Sequence, residues 1–81
     1  MADQQETISQ AALEAVGSLL ETGKIHGIGI TFEPDEQGWS VGYMRGMGGG
    51  NLASAYDLET ATKAAERPLD ELARRLEANQ R

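Results

Sequence analysis

Among side chains able to do acid–base or nucleophilic chemistry, the chain offers one histidine (His26), four serines and thirteen carboxylates. A catalytic or metal-binding histidine works with partners: a nucleophile to deprotonate, or further ligands to complete a coordination shell. No second histidine and no cysteine is present to supply them. The lack of cysteine also rules out thiolate zinc sites and iron–sulfur clusters. Ser9, Ser18, Ser40 and Ser54 have no histidine placed locally to activate them. Asp35-Glu36 and Asp70-Glu71 are adjacent acid pairs, in a turn and at a helix start, without calcium-loop spacing. Glycoside or phosphate chemistry would need two carboxylates across a deep pocket, for which a chain this short has little room. The expectation is therefore no catalytic residue, no cofactor and no metal site, with His26 closing a helix-to-strand junction.

Gly46-Met47-Gly48-Gly49-Gly50 is the one glycine-rich run. A phosphate cradle lies between a strand and a helix, so that backbone N–H groups and the helix N-terminus converge on the anion. Here the glycines precede a strand, and no Gly-Lys-Ser or Gly-Lys-Thr follows. The run reads as a hairpin connection, Gly46 to Asn51, that is costly to order. Met44 and Met47 would give such a loop adaptable apolar contact.

The elements that must position these residues follow from hydrophobic period. Thr7 to Thr22 reads as a helix, with Ile8, Ala12, Ala15, Val16 and Leu19 on one face. Thr7 and Gln10 form a capping-box pattern, and Gly23 stands where a helix turns left-handed at its end. From Ile25 to Glu33 the period becomes two: Ile28, Ile30 and Phe32 point one way. Pro34 to Gly38 is a polar turn, and Trp39 to Arg45 a second strand with Trp39, Val41 and Tyr43 on one face. Leu52 to Tyr56 is a third, short strand. Asp57 caps a second helix whose stripe is Leu58, Ala61, Ala65, Leu69, Leu72 and Leu76. That stripe keeps its phase across Pro68, which favours collinear segments or a gentle kink over a loop.

The predicted fold class is α+β, in the order helix, three-stranded antiparallel sheet, helix (α-β-β-β-α), with both helices on one sheet face. The 81 residues read as a single domain over 1–81, its ordered core about 7–78 between polar ends. No apolar run is long enough to span a bilayer, and the opening residues are polar and acidic, unlike a signal peptide. With no cysteine, the expected setting is cytoplasmic.

The formal charge is -6, and all of the acidic excess lies in residues 1–57, where Lys24 and Arg45 are the only lysine or arginine residues. Such a field opposes contact with nucleic-acid phosphates and anionic lipid and is compatible with a basic protein partner. Lys63, Arg67 and Arg74 line the side of the second helix opposite its leucines and are the candidates for anion contact. Interleaved acids, with Glu59 four before Lys63 and Asp70 four before Arg74, read instead as a solvated face. The element order is similar to that of double-stranded-RNA-binding domains over roughly residues 7 to 80. In that family lysines at the start of the last helix grip phosphates, ahead of an alanine-rich stretch. The matching segment here is Asp57-Leu58-Glu59-Thr60-Ala61-Thr62-Lys63-Ala64-Ala65. Its alanines agree with the family, but Lys63 is the only base where several are expected.

Bulky Ile28, Ile30, Phe32, Trp39, Val41 and Tyr43 must take the helix-covered face. Gly27, Gly29, Thr31, Ser40, Gly42 and Met44 then form a small, flat opposite face that another backbone or sheet could approach closely. With Met47 and Asn51 of the glycine-rich segment, these are the candidate partner interface. The expected function is a non-catalytic protein–protein interaction module, either a homodimer or an adaptor for a larger partner. The alternatives are a nucleic-acid-binding domain of double-stranded-RNA-binding topology and a small-molecule-binding or enzymatic domain.

Overall fold

A computed structural model describes residues 8–79. The elements are α1 (Gln10–Ile25), β1 (Gly29–Asp35), β2 (Gly38–Arg45), β3 (Gly48–Ala55) and α2 (Leu58–Asn79). The strands form one antiparallel sheet in the order β1-β2-β3, and both helices contact the same face of it. The α-β-β-β-α order and the one-sided helix layer are as the periodicity predicts.

The limits of α1 differ from the sequence expectation at both ends. Its N-cap is Ser9, whose Oγ accepts from the Ala12 N–H at 3.0 Å. Thr7, the expected cap, lies outside the described residues, and Ile8 precedes the helix and is exposed. At the other end the helix runs past Gly23 to Ile25. Gly27, at φ 72, is the left-handed residue, so it belongs to the helix terminus and not to the sheet face. Gly27 N–H donates to the Lys24 carbonyl and Ile28 N–H to the Gly23 carbonyl at 2.7 Å, the paired bonds of a Schellman ending. Gly23 serves another purpose. A Cβ there would meet the Ile28 carbonyl oxygen at 2.7 Å and the Ile30 side chain at 2.9 Å. Close approach of helix and strand, rather than backbone freedom, therefore requires glycine at that position.

Both hairpins are tighter than predicted. Asp35 pairs with Gly38 across the two-residue turn Glu36-Gln37, and Pro34 lies within β1 opposite Trp39. An edge strand tolerates that proline because one side of it needs no ladder donor. The second hairpin turns at Gly46-Met47, and the remaining glycines are not loop at all. Gly48, Gly49 and Gly50 extend β3 and pair with Arg45, Met44 and Tyr43. A bulge between Val41 and Gly42 sets Leu52 and Ala53 together on the core side.

The core centres on Leu19, Ile28, Val41, Ala61, Ala65 and Leu69. Val41, Ala61, Ala65 and Leu69 are each 0% exposed. Small alanines on α2 let its backbone lie close to β2 and β3. Ile30, Phe32, Trp39 and Tyr43 pack at the edge of this cluster and are only half-buried. The helix layer is thus narrower than the row of aromatics beneath it. Asp57 caps α2 as expected, its Oδ1 accepting from the Thr60 N–H at 2.7 Å. The helix continues through Pro68 without a break. Thr62, buried in its apolar face, bonds its own helix through the Leu58 carbonyl at 2.6 Å, which offsets the cost of burying the hydroxyl.

Candidate functional site

With both helices on one face, the other face of the sheet carries no second layer among the described residues. Strand register orders it into three rows across all strands. Gly29, Met44 and Gly49 form the first, Thr31, Gly42 and Asn51 the second, and Glu33, Ser40 and Ser54 the third. Of the residues predicted for this face, Gly29, Thr31, Ser40, Gly42 and Met44 stand on it. Asn51 also reaches it, from β3 opposite Gly42 instead of from a loop. Met47 sits apart in the Gly46-Met47 turn, 105% exposed.

The face is flat in the middle and polar at one end. Ser40 and Ser54 approach to 3.1 Å between hydroxyls, and the Ser40 hydroxyl also donates to Asp35 Oδ2 at 3.0 Å. Asp35 Oδ1 accepts from the Gln37 N–H at 2.8 Å, which ties the turn to the face. With Glu33 beside them, these carboxylates make that end negative. Met44, 58% exposed, is the one large apolar side chain on the opposite end. A Cβ on Gly42 would meet the Gly50 carbonyl at 2.8 Å and the Thr31 hydroxyl at 3.0 Å, so the centre stays smooth for a steric reason.

Sequence patterning did not anticipate a broad, open recess of about 750 Å³ beside this polar end. Asp35, Glu36, Gln37, Trp39, Ser54, Ala55 and Tyr56 line it. It exists because the β1–β2 turn lies next to the end of β3, a juxtaposition that no local period reports. Tyr56, 88% exposed, was the available signal: a tyrosine directly after a strand with nothing to pack against.

The candidate anion contacts on α2 are mostly engaged. Lys63 Nζ lies 2.9 Å from Glu59 Oε2, and Arg74 Nη2 lies 3.3 Å from Asp70 Oδ2. The Glu59 partner raises the Lys63 pKa above its ordinary value, by hydrogen bond first and charge second. Arg67 instead borders a shallow groove between α1 and α2 with Ser18, Thr22 and Glu66. His26 caps α1, its Nδ1 3.6 Å from Glu77 Oε2, too far for a hydrogen bond. Among the described residues no three of His, Cys, Asp and Glu gather as a metal site, and no helix is long and apolar enough to cross a membrane.

Comparison with protein-family models, curated proteins and solved structures finds no match.

Proposed function

We propose that this protein is a non-catalytic module that binds another polypeptide through the uncovered sheet face, the partner being a copy of itself or a larger protein. The observation that carries the reading is the one-sided helix layer. It leaves Gly29, Thr31, Ser40, Gly42, Met44 and Asn51 in open rows across three strands. A face with a smooth centre, one methionine and a negative end suits a polypeptide with a flat apolar segment and a basic flank. The excess of acids over residues 1–57 supports a protein partner over nucleic acid, as do the carboxylates that occupy Lys63 and Arg74.

The test replaces Thr31 and Met44 by lysine, which adds charge to the open face without entering the core. Wild-type and doubly substituted protein are compared in affinity capture from the source cell's extract, with circular dichroism to confirm equal folding. A protein retained by wild type and lost with T31K/M44K is the expected result. Identical capture by both, together with turnover of a small substrate in a screen, would reopen the enzyme reading.

A further inference from the structure

The two edges of the sheet are unlike. An edge strand presents unpaired N–H and C=O groups, a template for another strand unless charges, proline or a covering element blunt it. On β1, Glu33, Pro34 and Asp35 occupy the edge. On β3, whose inner face α2 covers just as α1 covers that of β1, no such residue stands among the described ones. From Gly46 to Tyr56 the chain carries neither charge nor proline, and its only irregularity is the bulge at Leu52.

We propose that β3 pairs antiparallel with β3 of a second copy of this chain, joining two three-stranded sheets into one of six strands. The proposal goes beyond the polypeptide-binding reading, since it uses the β3 edge and leaves the open sheet face free. Charge selects a copy over an unrelated peptide. Arg45, the cross-strand neighbour of Gly48, and Asp57, directly after Tyr56, stand with opposite signs at the two ends of the neutral stretch. A two-fold antiparallel arrangement brings Arg45 of each copy toward the partner's Asp57. Elsewhere two chains of charge -6 repel, so this neutral edge is where copies can meet without apposing like charges.

Side-chain facing selects the register. Gly48, Gly50, Ala53 and Ala55 face the helices, while Gly49 and Ser54 face the open side, because the bulge reverses the alternation at Leu52. A two-fold axis perpendicular to the sheet pairs residues that face the same way. Placed between Asn51 and Leu52, it sets Gly48 opposite the partner's Ala55, Gly49 opposite the partner's Ser54 and Gly50 opposite the partner's Ala53, and leaves the bulge residues Asn51 and Leu52, which face opposite sides, as the one unmatched pair at the axis. The same axis brings Met47, 105% exposed, to the partner's Tyr56, giving the barest large apolar side chains a contact. All four helices then lie on one side of the six strands, and the two open faces become one continuous platform.

The chain has no cysteine, so an introduced thiol reports without background. Asn51→Cys places two thiols beside the axis, within the about 4.4–6.8 Å Cα separation that a disulfide accepts. Mild oxidation of the full chain should yield covalent dimer for N51C and monomer for Thr31→Cys, which sits on the far edge. Sedimentation equilibrium over a wide concentration range should show a monomer–dimer equilibrium for wild type. Arg45→Asp, exposed and outside the core, should weaken it about tenfold by replacing attraction with repulsion at both ends. A monomer at every concentration overturns the proposal. So does a dimer that cross-links through T31C or Ser40→Cys but not N51C, since face-to-face packing would then join the copies. Neither result touches the polypeptide-binding reading, which stands or falls on the capture comparison with T31K/M44K.

Discussion

Gly17 and Gly23 lie in the same helix, six residues apart, and the same substitution should move stability in opposite directions at the two positions. Gly17 is exposed, and a Cβ built there meets nothing within 4 Å. Gly17→Ala therefore gains only helix propensity, about 0.8–1.0 kcal/mol. In a domain of this size that is a rise in melting temperature of about 3–8 °C. Gly23→Ala gains the same propensity but drives a methyl into the Ile28 carbonyl oxygen at 2.7 Å and Ile30 Cγ1 at 2.9 Å. Overpacking of that kind costs about 1–3 kcal/mol. The carbonyl cannot retreat freely, because Ile28 N–H is held by the Gly23 carbonyl, and straining that bond adds about 1 kcal/mol. The net expectation for Gly23→Ala is a loss of about 1–3 kcal/mol. Urea and thermal unfolding followed by circular dichroism at equal protein concentration measure both variants directly. If Gly23→Ala were as stabilising as Gly17→Ala, the close approach of α1 to β1 would be wrong, and the account of the α1 ending with it.

Leu69→Ala removes a side chain that is 0% exposed at the centre of the core and should cost about 2–5 kcal/mol in urea unfolding. Leu72→Ala and Phe32→Ala, at half-buried positions, should each cost less than Leu69→Ala; a reversed order would displace the core from where the helices meet the sheet. The Asp57 carboxyl is held below its ordinary pKa by hydrogen bonds from Thr60, the backbone N–H foremost. Its contribution is therefore present above the unfolded-state carboxylate pKa and disappears as pH falls through the lowered folded value. An NMR titration should find that carboxyl titrating below the ordinary aspartate value, and Asp57→Asn should flatten the loss of stability over that acid window while keeping the cap.

How much of this was legible in the sequence depends on how local each cause was. The switch of period from 3.6 to 2 at the end of α1 and back at Asp57 defined five elements in the right order. Side-chain bulk alone assigned Ile30, Phe32, Val41 and Tyr43 to the covered face, and the pairing of Phe32 with Val41 agrees. The Asp57 cap needed only its neighbours three residues on. Glycine was different, because it has no side chain whose pattern reports its surroundings. Gly23 resembled a helix terminator, yet its role is contact with Ile28 and Ile30, while Gly27 supplies the left-handed turn. Gly48, Gly49 and Gly50 resembled a loop until pairing with β2 placed them in a strand, with Gly50 against the ring of Tyr43. The recess at Trp39 and Tyr56 and the contrast between the two sheet edges have the same origin. Each depends on which strand lies beside which, a matter of residues far apart in the chain. Short-range patterning determined what the elements are; only tertiary packing decided which of their surfaces were left without a neighbour.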